Sequence, residues 1–248
     1  MASEAMLQYQ HEQLHVLAAL EIKGLLIPKA FGLVREKRVL VMEFARGQTI
    51  EGLVWNGRGD KELLAACQSA GWILAQIEVA RAEEIGRVPI EALAQDLALA
   101  PWSLSRHQQR LLARVFHRLA GAEVRLGEVY YDYKAANLLF DDGHLSLIDP
   151  PDISRRGVLL WDFACFRSSM RRHLWRVSLR QPNRKRLTLI ERSIACFERS
   201  YLSNIGQPFL EADLFATFVQ LLELQRTAVL MTMQHGKLEL AKRRNPIA

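Results

Sequence analysis

An α+β fold is what this sequence predicts: a small β-bearing front piece, residues 1–46, and a larger, mainly helical rear piece, residues 47–248. Three observations carry this. Short apolar runs bounded by turn residues cluster near the front and again at 129–149. Helical apolar spacing governs most of the remainder. Half of the 248 residues are hydrophobic and 24% are charged, which suits a packed core rather than a disordered chain.

The elements follow in order. Residues 4–20 read as a helix carrying Met6, Leu14, Leu17 and Leu20, stopped by Gly24 and Pro28. The stretch KAFGLVREKRVLVMEFARG reads as two strands around a charged turn, Arg35 to Arg38. Val39 to Phe44 is apolar apart from Glu43, which predicts a central, buried strand ended by Gly47. WNGRGD at 55–60 is loop chemistry. Leu63, Cys67, Ala70, Leu74 and Ile77 then fall at helical spacing, with Asp60 as the expected N-cap. Residues 82–104 predict an irregular or short-helical connection. A second helix follows Ser105, with Leu111, Leu112, Val115 and Leu119 on one face. Val129–Tyr131 leads into a hairpin of Leu138–Phe140 and Leu145–Ile148, turned by Asp142-Gly143. Beyond Leu159 helices are predicted at roughly 160–177, 185–203 and 211–241.

Bulk features narrow the function classes. The apolar runs are only a few residues long, well short of the roughly 18 to 20 needed to span a bilayer, so no transmembrane segment is expected. The start carries Glu4 and Glu12 and lacks a basic-then-apolar block, so no secretory signal is expected. Cys67, Cys165 and Cys196 fit neither a zinc spacing nor a disulfide framework, and a cytoplasmic location is the expectation. The net charge of +6 is local. Between Asp162 and Glu191 there is no acidic residue, while Arg167, Arg171, Arg172, Arg176, Arg180, Arg184, Lys185 and Arg186 all fall there. Such a patch suits an anionic partner or a solvated helix face.

The stretch VYYDYKAANLLFDDGHLSLIDPPD, residues 129–152, concentrates the chemistry. Asp132 opens a loop, Asn137 precedes the first strand, and Asp149 ends the second. A short hairpin brings its outer ends side by side, so Asn137 and Asp149 can face one point. An amide oxygen and a carboxylate are hard ligands suited to magnesium that keeps phosphate oxygens and waters. Asp132 is placed to accept a proton from, or orient, an attacking hydroxyl. Lys134 can neutralise a transferring phosphoryl group.

The pattern Asp-x-Lys-x-x-Asn-Leu-Leu-Phe, a hairpin and Ile-Asp resembles the catalytic loop and metal-binding strand end of the protein-kinase-like fold. That resemblance implies a bilobal molecule with a partial N-lobe and a helical C-lobe, and an ATP- and Mg2+-dependent phosphotransferase. It implies that Asp132 is the catalytic Asp, that Lys134 contacts the γ-phosphate, and that Asn137 and Asp149 hold the metal. VLVMEFARG is similar to the fifth strand, the gatekeeper (Met42) and the hinge at Glu43, Phe44 and Ala45 whose backbone would bind adenine. Glu12 matches the glutamate of the regulatory helix. LLWDFACF is similar to the helix whose Asp, here Asp162, ties down the loop backbone. About 84 residues separate Ala45 from Val129, and only twelve separate Asp149 from Asp162. That spacing resembles the aminoglycoside-phosphotransferase and choline-kinase-like group, and implies a small-molecule acceptor rather than a peptide. The acceptor is expected to be anionic if Arg167, Arg171, Arg172 and Arg176 meet it; nucleic acid is not expected.

Three departures bear on this. Tyr130-Tyr131-Asp132 stands where the family usually has His-Gly-Asp or His-Arg-Asp, and Pro150-Pro151 follows Asp149. Only eleven residues precede Glu12 and the first lysine is Lys23, so the glycine-rich loop and strand lysine are missing upstream. Either the chain starts at an internal Met or those parts are lost. The alternative function is therefore a non-catalytic, pseudokinase-like binding or regulatory module. A third reading is a nucleic-acid or membrane-surface binder acting through the basic run.

Overall fold

Helix α1 (Glu4–Ala18) forms on a stripe of Leu7, Leu14 and Leu17, all buried. The computed structural model describes residues 4–56, 59–130, 132–150, 156–180, 183–206 and 210–244. The chain forms two compact units, Met1–Glu84 with Arg125–Pro208, and Ile85–Val124 with Phe209–Ala248. Tyr131, Pro151 and residues 57–58 of the predicted loop lie outside the described residues.

The first unit begins with α1 and strands β1 (Leu25–Leu26), β2 (Ala30–Val34) and β3 (Val39–Met42). β2 and β3 form an antiparallel pair, Val34 opposite Val39, around a 3-10 turn at Arg35–Lys37. The predicted strands and turn are there, but the predicted burial of β3 is not. β3 has one strand partner, and Val39 and Val41 are exposed. An apolar run signals strand; whether it is central depends on neighbours that the run itself does not encode.

Strand β4 (Gln48–Thr49) leads into α2 (Ile50–Asn56) and α3 (Asp60–Arg81). Asp60 does not cap α3; Gly59, in the left-handed region, occupies the cap position and Asp60 is the first helical residue. The predicted irregular connection resolves into β5 (Ala82–Arg87) and α4 (Ile90–Ala98). After α5 (Arg106–Leu119) comes β6 (Glu123–Glu128), just before the segment from Val129 expected to lead into the hairpin. The hairpin is β7 (Leu138–Asp141) and β8 (His144–Leu147), with Leu138 opposite Leu147. Its turn needs positive φ twice, 43° at Asp142 and 82° at Gly143, the demand that Asp-Gly meets at least cost. β8 pairs with β1 in parallel and β7 with β4, in the order β1-β8-β7-β4. Strand β9 (Arg156–Val158) pairs antiparallel with β6 and delivers the chain to α6 (Leu160–Arg180) and α7 (Arg184–Asn204).

The core of this unit is α3 against α7 with α6 beside them. Gly71 makes the close approach possible, because a Cβ there would run into the Phe197 carbonyl. Phe166 stacks on Phe197 with ring centroids 4.1 Å apart, and Phe163 lies 4.6 Å from Tyr201. The Tyr201 hydroxyl donates to Glu78 Oε2 at 2.5 Å inside this packing. Burial pushes the Glu78 carboxyl up from 4.5 to about 8, with the Tyr201 hydrogen bond opposing. Here the folded form holds a proton that the unfolded chain releases, so stability is greatest below about pH 4.5 for this group and falls as pH rises toward 8. Unfolding free energies of the wild type relative to Glu78→Gln should decline across that window; a flat difference would contradict the buried, neutral carboxyl.

In the second unit, α5 starts with the expected Ser105, in a capping box with Gln108. Its expected apolar face is largely unburied: Leu119 is buried and Leu111 is exposed. Helix α8 (Ala212–Arg244) buries Phe218, Val219, Leu221 and Leu222, and its Gln225 donates to Asp96 of α4 at 2.5 Å. Among the described residues two helices, α3 and the Ala212–Gln234 part of α8, are long and apolar enough to cross a membrane by length and composition. In α3 that surface is occupied by α7.

Candidate active site

The loop between β6 and β7 is held at Val129, Tyr130, Tyr133 and Ala135 before its chemical groups are presented. Val129 and Tyr130 are buried as the chain leaves β6. Tyr130 N–H donates to Asp162 Oδ2 at 2.6 Å, from the first turn of α6. The Tyr130 hydroxyl donates to the main-chain oxygen of Asp149. Burial first, then the Asp149 and Asp132 charges, holds that hydroxyl well above the ordinary tyrosine range, so it remains a donor. Tyr130 thus binds the loop to the strand end from the position where the family usually carries His. Tyr133 is fully buried and donates to Ala70 O at 2.8 Å. Ala135 donates to Ser169 Oγ at 3.2 Å and accepts from Glu51 N–H at 3.0 Å, so α6 and α2 grip it from two sides.

Within this frame the hairpin brings three side chains together. Asn137, 6% exposed, donates from Nδ2 to Asp132 Oδ2 at 3.0 Å, to Asp132 O at 3.2 Å and to Asp149 Oδ2 at 3.3 Å. Ile148 N–H bonds Asn137 O at 3.2 Å, which closes the hairpin beside the site. The Lys134 ammonium pairs with Asp132 Oδ2. With Nδ2 used as donor, the Asn137 amide oxygen is left as an acceptor beside the two carboxylates. No group of three or more His, Cys, Asp or Glu able to hold a metal occurs among the described residues. The Asn137 amide oxygen and the Asp149 carboxylate fit a hard cation that brings phosphate and water ligands of its own.

The other expected positions make contacts of their own. Glu12 is exposed on α1 and accepts from Gln8 at 3.0 Å. Glu43 N–H donates to Lys29 O at 2.8 Å, and Phe44 is 86% exposed. Glu43, Phe44 and Ala45, without Met42, line a cavity of about 420 Å3 with Leu17, Ile22 and Pro28; none of Asp132, Lys134, Asn137 and Asp149 lines it. Arg167, in the expected anionic-acceptor group, is paired with Glu198 at 2.5 Å.

Several contributors were not anticipated from sequence. Gln10 Nε2 donates to Pro150 O at 3.2 Å, one residue past Asp149. The buried Arg81 guanidinium donates to Gln13 Oε1 at 3.1 Å and to Glu128 Oε2 at 2.5 Å, and the Tyr9 hydroxyl donates to the other Glu128 oxygen. Helix α1 is therefore clamped to the end of β6. One signal was available: Gln10 and Gln13 continue the helical stripe of Leu14 and Leu17, where an amide needs a partner.

A loop of this kind running into a hairpin that returns an Asp to the loop's Asn defines a protein-kinase-like phosphotransferase fold. The model of the phosphotransferase enzyme family (APH) matches residues 2–188, and the chain belongs to that family. Among solved structures it is similar to a protein assigned as an aminoglycoside phosphotransferase from Ralstonia eutropha, at a TM-score of 0.62 and 16% identity, covering 93% of this chain and 74% of that one. It is similar to glucosamine kinase at TM-scores of 0.57 and 0.56 in two crystal forms, each at 16% identity, covering 96% and 87% of this chain. It spans 71% and 62% of the glucosamine kinase chain in those forms. It is also similar to amicoumacin kinase in complex with AMP-PNP, Ca2+ and Ami, at a TM-score of 0.57 and 14% identity, covering 93% of this chain and 71% of that one. None of the curated proteins compared matches the chain.

Proposed function

We propose that the protein transfers the γ-phosphoryl group of ATP to a hydroxyl of a small molecule. The observation that carries this is the contact of Asn137 with both Asp132 and Asp149, within 3.3 Å. Membership of the phosphotransferase family supports it, as does a fold shared with a kinase solved with AMP-PNP and a divalent cation. Asn137 and Asp149 would hold Mg2+, which supplies charge neutralisation on the phosphate oxygens. Asp132 orients the acceptor hydroxyl and takes its proton. Lys134, already on the same carboxylate, adds positive charge where phosphoryl charge develops. Asp162 fixes the loop through Tyr130, so the reacting groups need little reorganisation. Backbone groups of Glu43, Phe44 and Ala45 are the proposed adenine contacts, with Met42 the proposed gatekeeper.

A thermal-shift titration tests the reading. At 100 times its Kd, Mg-ATP should stabilise the protein by about 2.7 kcal/mol. That is a rise of roughly 5 to 10 °C for a chain of this size. Asp149→Ala should abolish the rise. Absence of any shift in the wild type would favour the non-catalytic binding module.

A further inference from the structure

Helix α6 belongs to the core for only half its length. From Leu160 to Met170 most of its residues are buried. Beyond Met170 only His173 and Val177 still are, four residues apart on one line. Much of the rest of that half faces outward in two neighbouring stripes. Arg171, Trp175 and Leu179 form one at i, i+4 and i+8; Arg172, Arg176 and Arg180 form the other. Trp175 is 67% exposed and Leu179 78% exposed. Helix α7 then opens with Arg184 and Lys185, both exposed. On the inner side, Glu51 lies 3.9 Å from Arg176 and 3.6 Å from His173.

A solvated charged face would keep its large apolar side chains inward. Here a tryptophan and a leucine stand one turn apart on the outer face, bordered by arginines. Trp and Leu on the same side as Arg suit a bilayer interface, where the indole sits at headgroup level, the leucine enters the acyl boundary, and guanidinium groups bind lipid phosphates. Nucleic acid fits less well. A single-strand site stacks bases on aromatics along a groove, whereas this is one helix face on which Leu179 offers nothing to stack.

We propose that the outer face of α6 from Trp175 to Arg180, with Arg184 and Lys185 following closely in sequence, docks the protein on an anionic phospholipid surface. This does not depend on phosphoryl transfer. The outer half reaches the catalytic loop through Glu51, which lies 3.9 Å from Arg176 and donates its N–H to Ala135 O. Docking would therefore bring that loop close to acceptors held at a membrane.

The test is co-sedimentation of the full chain with vesicles of phosphatidylcholine alone or with about 30 mol% phosphatidylglycerol, at low salt. Partitioning should be at least about tenfold stronger on the anionic vesicles and weaken with added salt. Arg180→Ala should lower it about fivefold. Trp175→Ser with Leu179→Ser should lower it at least about tenfold, with an unchanged unfolding temperature because both side chains face outward. Equal partitioning on the two vesicle types overturns the proposal, as does full binding by the double serine variant. Tighter binding to a single-stranded oligonucleotide that displaces the vesicles, and that survives the double serine change, assigns the face to nucleic acid and also overturns it.

Discussion

Asp132→Asn is expected to lower phosphoryl transfer by about a hundredfold to ten-thousandfold, the range spanned by loss of a positioned proton acceptor. The substitution keeps the side chain's shape and an oxygen that can accept from Asn137 Nδ2. What it removes is the charge that faces Lys134 and the capacity to take a proton. Asp132 is about a third exposed, so its ion pair with Lys134 adds little to folding. The unfolding temperature should hardly move. ADP release measured against a panel of amino sugars and other polyhydroxylated acceptors gives the readout. A second measurement separates the carboxylates: Asp132→Asn should retain the Mg-ATP thermal shift, whereas Asp149→Ala should lose both shift and turnover. If Asp132→Asn turned over like the wild type, the proton-handling role would be wrong.

The cluster was legible because its members are close in sequence and joined by a ribbon with fixed geometry. Seventeen positions separate Asp132 from Asp149, and Asp142-Gly143 sets the register that returns one to the other. The helices after Leu159 were legible for a similar reason, through uninterrupted periodicity. Other features depend on residues far apart. Gln13 and Arg81 are 68 positions apart, and Tyr9 and Glu128 are 119 apart, so no local pattern announces the clamp. The exposure of β3 is not legible in sequence because an apolar run says nothing about how many neighbours a strand has. β5 escaped notice because Ala82–Arg87 lies almost wholly exposed and carries no alternation. α4 did carry a signal, since Leu93 and Leu97 are one turn apart and both buried.

That clamp yields the largest expected effect on stability. Glu128→Leu should destabilise the protein by about 3 to 5 kcal/mol, the cost of leaving a buried charge without its partner. The side chain of Arg81 is 6% exposed, and without Glu128 its remaining partner among the described residues is Gln13, a neutral amide. Arg81→Met should cost less, because Glu128 is 27% exposed and still accepts from Tyr9. Joining the two changes puts apolar groups on both sides of the contact, and much of the loss should return. Urea unfolding of both single variants and the double variant would show coupling of about 1 to 3 kcal/mol; strictly additive losses would mean that Arg81 and Glu128 do not act as a pair. The functional consequence follows from chain connectivity. Glu128 is the residue before Val129 and Tyr130, and α1 also reaches Pro150 through Gln10. Loosening the clamp therefore slackens both ends of the segment that carries Asp132 and Asp149. Under the phosphotransferase reading, the double variant should regain stability but not full turnover. Regained stability needs only an apolar fit, whereas turnover needs α1 held in register.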